Sequence, residues 1–109
     1  MDEALRERIK STVEGHRVVL FMKGNRNFPA CGFSAQVVGI LKKHGAEFAD
    51  VNILADAELR QGLKEYSSWP TYPQLYVDGK LVGGCDIVTS LSESGELRAL
   101  LAGGAGSNG

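Results

Sequence analysis

The chain has 109 residues, with 12 Lys or Arg against 13 Asp or Glu and a formal net charge of −1 at pH 7. That length suits one domain, and 43% hydrophobic with 23% charged residues is the composition of an ordinary folded protein. The even charge excludes a nucleic-acid surface built on excess Lys and Arg, no apolar run approaches the roughly 18 residues of a membrane span, and the charged start MDEALRERIK is no secretory signal.

Leu5, Ile9 and Val13 recur every four residues, so Asp2 to Glu14 is predicted as an amphipathic helix, stopped by Gly15. RVVLFM, Arg17 to Met22, is short, apolar and β-branched, as expected of a buried central strand. Lys23 to Ala30 is a loop by its Gly, Asn and Pro content. Phe33 to His44 follows as a helix, with Val37, Ile40 and Leu41 on one face and Gly45 after it. Glu47 to Ile53 is expected as a second strand and Ala57 to Tyr66 as a helix. Gln74 to Gly84 is a hairpin around Asp78-Gly79, a pair that favours a type I′ turn. Asp86 to Leu101 is helical, with a break near Ser94-Gly95. The order implies an α/β fold: a mixed four-stranded sheet, one parallel pair and one hairpin, with helices on both faces. Residues 1–102 are taken as the domain, and the Gly/Ser-rich tail 103–109 is expected to be disordered.

The two cysteines, Cys31 and Cys85, are too few for a disulfide scaffold or a four-thiolate metal site, which fits a reducing compartment. Cys31 lies at the start of the second helix, where unpaired N–H groups and the helix dipole favour a thiolate. Lys23, at the end of the first strand, returns to the same edge and adds a positive charge. Where redox proteins often carry a second cysteine, three positions on, this chain has Ser34.

SSWPTYPQL, Ser67 to Leu75, places two prolines before a strand. A trans bond at Pro73 is the ordinary expectation; a cis bond would turn Tyr72 outward and offer its backbone to an extended ligand. Trp69 is expected to pack at a helix end. In GGCDIV, Asp86 is placed as the N-cap of the last helix, beside a Cys85 that packs, pairs or ligates. Arg60 stands on the exposed face of the third helix. Lys23, Arg60, the helix start at Asp86 and the Tyr72 backbone, set around one groove beside Cys31, complement a small extended peptide with two carboxylates and one amine. Glutathione has that pattern.

CGFS, together with WPTYPQL and GGCDI at these spacings, closely resembles the monothiol glutaredoxins of the thioredoxin-like superfamily. The likeness runs through nearly all of the chain from Val18 to Leu97. It implies a thioredoxin-like fold and glutathione held by Lys23, Arg60, the cis Tyr72-Pro73 loop and the pair Cys85-Asp86, with Cys31 as the working thiol. It also implies handling of a 2Fe–2S cluster, and the ligand count agrees. Such a cluster takes four thiolates; Cys31 and one glutathione from each of two subunits supply them in a cluster-bridged homodimer that passes its cargo to acceptor proteins. Two other readings stay open. One is a weak glutathione-dependent oxidoreductase in which Cys31 attacks glutathionylated disulfides. The other is a redox-regulatory adaptor for a BolA-type partner. The stretch LRQGLKEYSSWPTYPQLY looks most like plastid and cyanobacterial members, which points to a plastid stroma or bacterial cytoplasm, with a mitochondrion as the further option.

Overall fold

The computed structural model describes residues 1–103, so the expectation for the tail lies, beyond Gly103, outside the described residues. Helix α1 spans Glu3–Gly15; Asp2 caps it by accepting the Leu5 N–H at 3.3 Å. Leu5, Ile9 and Val13 form its buried stripe. Strand β1, Val18–Met22, is buried at every position. Helix α2, Gly32–Lys43, follows the loop. Strand β2, Ala49–Asn52, is shorter than the expected Glu47–Ile53. Its end is set by Asn52, whose side chain accepts the Leu54 N–H at 3.0 Å and starts a 3₁₀ turn over Ile53–Ala55.

Helix α3, Ala57–Ser67, is capped by the Asp56 carboxylate and closed by a left-handed Ser68. Strands β3, Gln74–Val77, and β4, Lys80–Gly83, form the hairpin. Asp78 and Gly79 both have positive φ, 54° and 78°, as a type I′ turn requires. Helices α4, Cys85–Ser94, and α5, Glu96–Leu101, are separated by Gly95 at φ 87°.

The sheet order is β2-β1-β3-β4, with β1 parallel to β2 and antiparallel to β3. Because side chains alternate along a strand, β1 feeds two cores. Val18, Leu20 and Met22 pack with α2, α4 and α5, while Val19 and Phe21 pack with α1 and α3. The register sets Phe21 against Gln74 and Leu75 against Gly83. The end of β1, the start of β3 and the end of β4 therefore share one edge of the sheet. The starts of α2 and α4 open there too.

Candidate functional site

Cys31 is itself the N-cap of α2: its backbone is extended, and its Sγ accepts the Ser34 N–H at 3.5 Å. The Ser34 Oγ lies 3.8 Å from the same sulfur and accepts the Lys23 N–H at 3.1 Å. Partial burial pushes the Cys31 thiol up. The Ser34 N–H, the Ser34 hydroxyl, the Phe33 N–H and the Lys23 charge together outweigh it and hold the thiol below its ordinary value.

The loop that delivers Cys31 is built rather than slack. Ala30 N–H donates to the Lys23 carbonyl at 2.8 Å, and Phe28 N–H donates to the Asn25 carbonyl at 3.1 Å. Gly24, at φ 89°, has no room for a side chain, since a Cβ would stand 2.5 Å from the Phe28 oxygen and 2.6 Å from the Ala30 nitrogen. Arg26 clips the loop to β2 through Asp50 at 3.0 Å and the Phe48 carbonyl, with its guanidinium 4.0 Å above the Phe48 ring. Phe28 and Phe33, which flank Cys31 in sequence, stand exposed at 78% and 62%.

Next to it lies a groove of about 340 Å³, walled by Phe33, Trp69, Tyr72, Pro73, Cys85 and Asp86 among others. The Tyr72-Pro73 bond is cis. The expectation that a cis bond turns Tyr72 outward needs correction. Its ring is buried and its hydroxyl donates to the Arg60 carbonyl at 2.6 Å, because a buried phenol needs an acceptor. Burial pushes that phenol up to about 12. Tyr72 lines the groove, and among the described residues nothing pairs with its backbone N–H or C=O.

Gly84 forms the floor. A Cβ there would stand 3.3 Å from both the Pro73 oxygen and the Trp69 Nε1. Gly84, not Asp86, is the N-cap of α4, which corrects the second expectation. The helix begins at Cys85, so Asp86 falls inside its first turn, exposed beside the groove. Trp69 also departs from expectation: it belongs to neither core, and its indole N–H is buried in the groove wall with no partner among the described residues. Burial pushes the Cys85 thiol up, and the Asp86 and Cys31 charges add to this against an opposing hydrogen bond with Thr89. The two sulfurs are thus neighbours of opposite character.

Lys23, Cys31 and Arg60 stand outside the groove lining, with Lys23 close enough to act on the Cys31 charge and Arg60 on the Tyr72 phenol. A larger concavity of about 720 Å³ lies at the other end of β1, beside His16, His44 and Arg98, and contains none of the residues that carry thiol chemistry. Arg17 there is engaged by Asp78 and by the Leu100 and Leu101 carbonyls. The smaller groove is therefore the candidate site. Among the described residues no three His, Cys, Asp or Glu side chains gather as a metal site.

Residues 18–82 match the Glutaredoxin family. The chain belongs to the glutaredoxin family. It is 58% identical over 93 residues to a probable monothiol glutaredoxin 2 of Rickettsia conorii, covering 85% of this chain and 87% of that one. Among solved structures it is similar to reduced poplar apo GrxS14, at 58% identity and a TM-score of 0.76, covering 86% of each chain. The holo form of glutaredoxin C1 from Populus tremula x tremuloides superposes with a TM-score of 0.82 at 27% identity, covering 92% of this chain and 97% of that one. The monothiol branch fits the CGFS motif, and the fold is the thioredoxin-like one.

Two residues of this monothiol glutaredoxin escaped the sequence reading. Ser34 counted only as a missing thiol, yet it is fully buried and touches the sulfur. Gln74, also fully buried, donates from its amide to the Trp69 and Thr71 carbonyls at 3.1 and 3.2 Å and so fixes the loop that walls the groove. Its signal was present: a Gln opening the otherwise apolar strand QLYV needs partners for its amide.

Proposed function

We propose that this monothiol glutaredoxin binds glutathione in the groove beside Cys31 and carries a 2Fe–2S cluster between two subunits. The observation that carries the reading is a half-buried thiol at a helix cap, held toward thiolate, next to a ligand-sized groove and without a second thiol three residues on. The groove fits glutathione by its chemistry. The unpaired Tyr72 backbone suits the peptide's own amide, and the Gly84 floor leaves room for chain against chain. The exposed Asp86 carboxylate suits an ammonium, and the Lys23 and Arg60 cations suit its two carboxylates. When bound, glutathione supplies a thiolate beside Cys31.

The cargo needs four thiolate ligands. One chain offers Cys31 as its readily ionised sulfur, while Cys85 is held toward the neutral thiol in the groove wall. Two subunits and two glutathiones complete the set. Cys31 then binds iron as a protein ligand, and exchange of the small-molecule ligands lets the cluster pass to an acceptor protein. Two free cysteines suit a reducing compartment. Anaerobic addition of iron, sulfide and glutathione should give a cluster absorption band and a doubling of particle size. No band, or a band on a monomer, overturns the reading.

A second reading draws on the depressed Cys31 thiol. Its thiolate can attack the glutathione sulfur of a mixed disulfide, expelling the target protein's thiolate; a second glutathione then attacks the Cys31 adduct, releasing glutathione disulfide. A deglutathionylation assay on the cluster-free chain measures it directly. The cluster reading expects a low rate.

A further inference from the structure

We propose that the Ser34 hydroxyl donates a hydrogen bond to the Cys31 sulfur, aimed there by the Lys23 N–H, and so damps the nucleophilicity of the thiolate. Ser34 is fully buried, and a buried hydroxyl must place its proton. Its oxygen accepts the Lys23 N–H at 3.1 Å, which leaves the O–H free to donate. Serines inside helices often donate back to a carbonyl one turn earlier. Ser34 makes no such bond, and its remaining partner among the described residues is the Cys31 Sγ at 3.8 Å. When the sulfur is a thiol, S–H and O–H can share the contact in either sense. A thiolate can only accept, so ionisation turns the hydroxyl proton onto sulfur.

This donor differs in kind from the Ser34 N–H at 3.5 Å, which any non-proline residue would supply at that position. The hydroxyl depends on serine itself. A cysteine there would offer a disulfide partner, and an alanine would offer nothing. Donation withdraws charge from sulfur, and basicity and nucleophilicity fall together along a Brønsted slope of about 0.4–0.5. The result pairs a hydrogen bond held on the sulfur with slow attack. That pairing suits a ligand that must be exchanged more than an attacking group, and hydrogen bonds to ligand sulfur are a recognised means of tuning a cluster. The inference rests on Cys31 being the working thiol. It does not rest on the cluster, because it is read on the metal-free chain.

The test is the second-order rate of iodoacetamide alkylation at Cys31, followed by mass spectrometry of its peptide, at a pH that ionises the thiol in every variant. Ser34→Ala and Ser34→Gly should react about two- to threefold faster than the native chain, as the Brønsted slope gives for a modest rise in basicity. Ser34→Thr, which restores a hydroxyl, should return to the native rate. Circular dichroism and thermal melting identify the folded variants, and either hydroxyl-free variant carries the test if the other fails to fold. Equal or slower alkylation in a folded Ala or Gly variant overturns the proposal. So does a folded Thr variant as fast as Ala, since general loosening rather than the hydroxyl would then set the rate. A chain that shows this effect but assembles no cluster keeps the inference and loses the cluster reading.

Discussion

Two helices of this glutaredoxin begin at the same edge, each after a strand and each with a cysteine at its start, yet the two starts do opposite work. At α2 the cysteine is the cap: the Cys31 sulfur accepts the N–H of Ser34, and the thiol is pulled below its ordinary value. At α4 a glycine is the cap, with no side chain on the first-turn N–H groups, and Cys85 one residue on is pushed above its ordinary value. A helix N-terminus alone does not make a reactive thiol. Burial raises both thiols; at Cys31 the hydrogen bonds at the cap, with a smaller contribution from Lys23, outweigh it, whereas at Cys85 the hydrogen bond with Thr89 does not, and the Asp86 and Cys31 charges add to the rise. In the proposed function, the start filled by sulfur is the chemical half of the site and the start left open by glycine is the binding half.

If the halves are separable, they can be broken one at a time. The largest effect is expected from Gly84→Val, which puts branched carbon where even a Cβ stands 3.3 Å from the Pro73 oxygen. Glutathione affinity by calorimetry should fall more than tenfold, about the 1.4 kcal/mol of a tenfold change in binding or more, while alkylation of Cys31 by a small reagent keeps its native rate. Loss of both together would mean that the two helix starts form one unit.

Next come the cations. Lys23→Ala and Arg60→Ala should each weaken glutathione about fivefold, the scale of a partly exposed charge-assisted contact near 1 kcal/mol, and the effect should shrink in high salt. Unchanged affinity in both would place the peptide's carboxylates elsewhere.

The third effect concerns pH. Because the Cys31 thiol is lowered and the Cys85 thiol raised, alkylation of Cys31 should turn on at lower pH, with its midpoint below that of Cys85. Lys23→Ala should move the Cys31 midpoint upward by the smallest change of the set, since the Lys23 charge acts on it less than burial and the hydrogen bonds do, and leave Cys85 in place. A Cys85 midpoint below that of Cys31 would invert the comparison.

Much of the fold was readable because local signals agreed with one another. The stripe of Leu5, Ile9 and Val13, the apolar run of β1 and the Asp78-Gly79 turn each specify one element, and each is found. The boundaries that shifted did so through contacts distant in sequence. Asn52 ends β2 by bonding the 3₁₀ turn and the Gly24 N–H, which no local pattern announces. Asp86 looked like a cap by residue type, but the tight turn through Gly83, at φ 147°, starts the helix earlier. Trp69 read as core because it follows a helix end; its place in the groove wall brings it against Gly84, which comes from the far side of the β3–β4 hairpin. Of the residues the motifs singled out, Tyr72, Pro73, Cys85 and Asp86 line the groove, while Lys23, Cys31 and Arg60 stand outside its lining. Their division into a thiol side and a groove side was not legible, because it depends on whether sulfur or glycine holds each cap.

The most direct test of the account is anaerobic reconstitution of Cys31→Ser and Cys85→Ser beside the native chain, with iron and sulfide, in the presence and absence of glutathione. The account predicts a dimeric 2Fe–2S form in the native chain and in Cys85→Ser, each only with glutathione, and none in Cys31→Ser. A cluster that forms without glutathione, or that fails in Cys85→Ser, would contradict it.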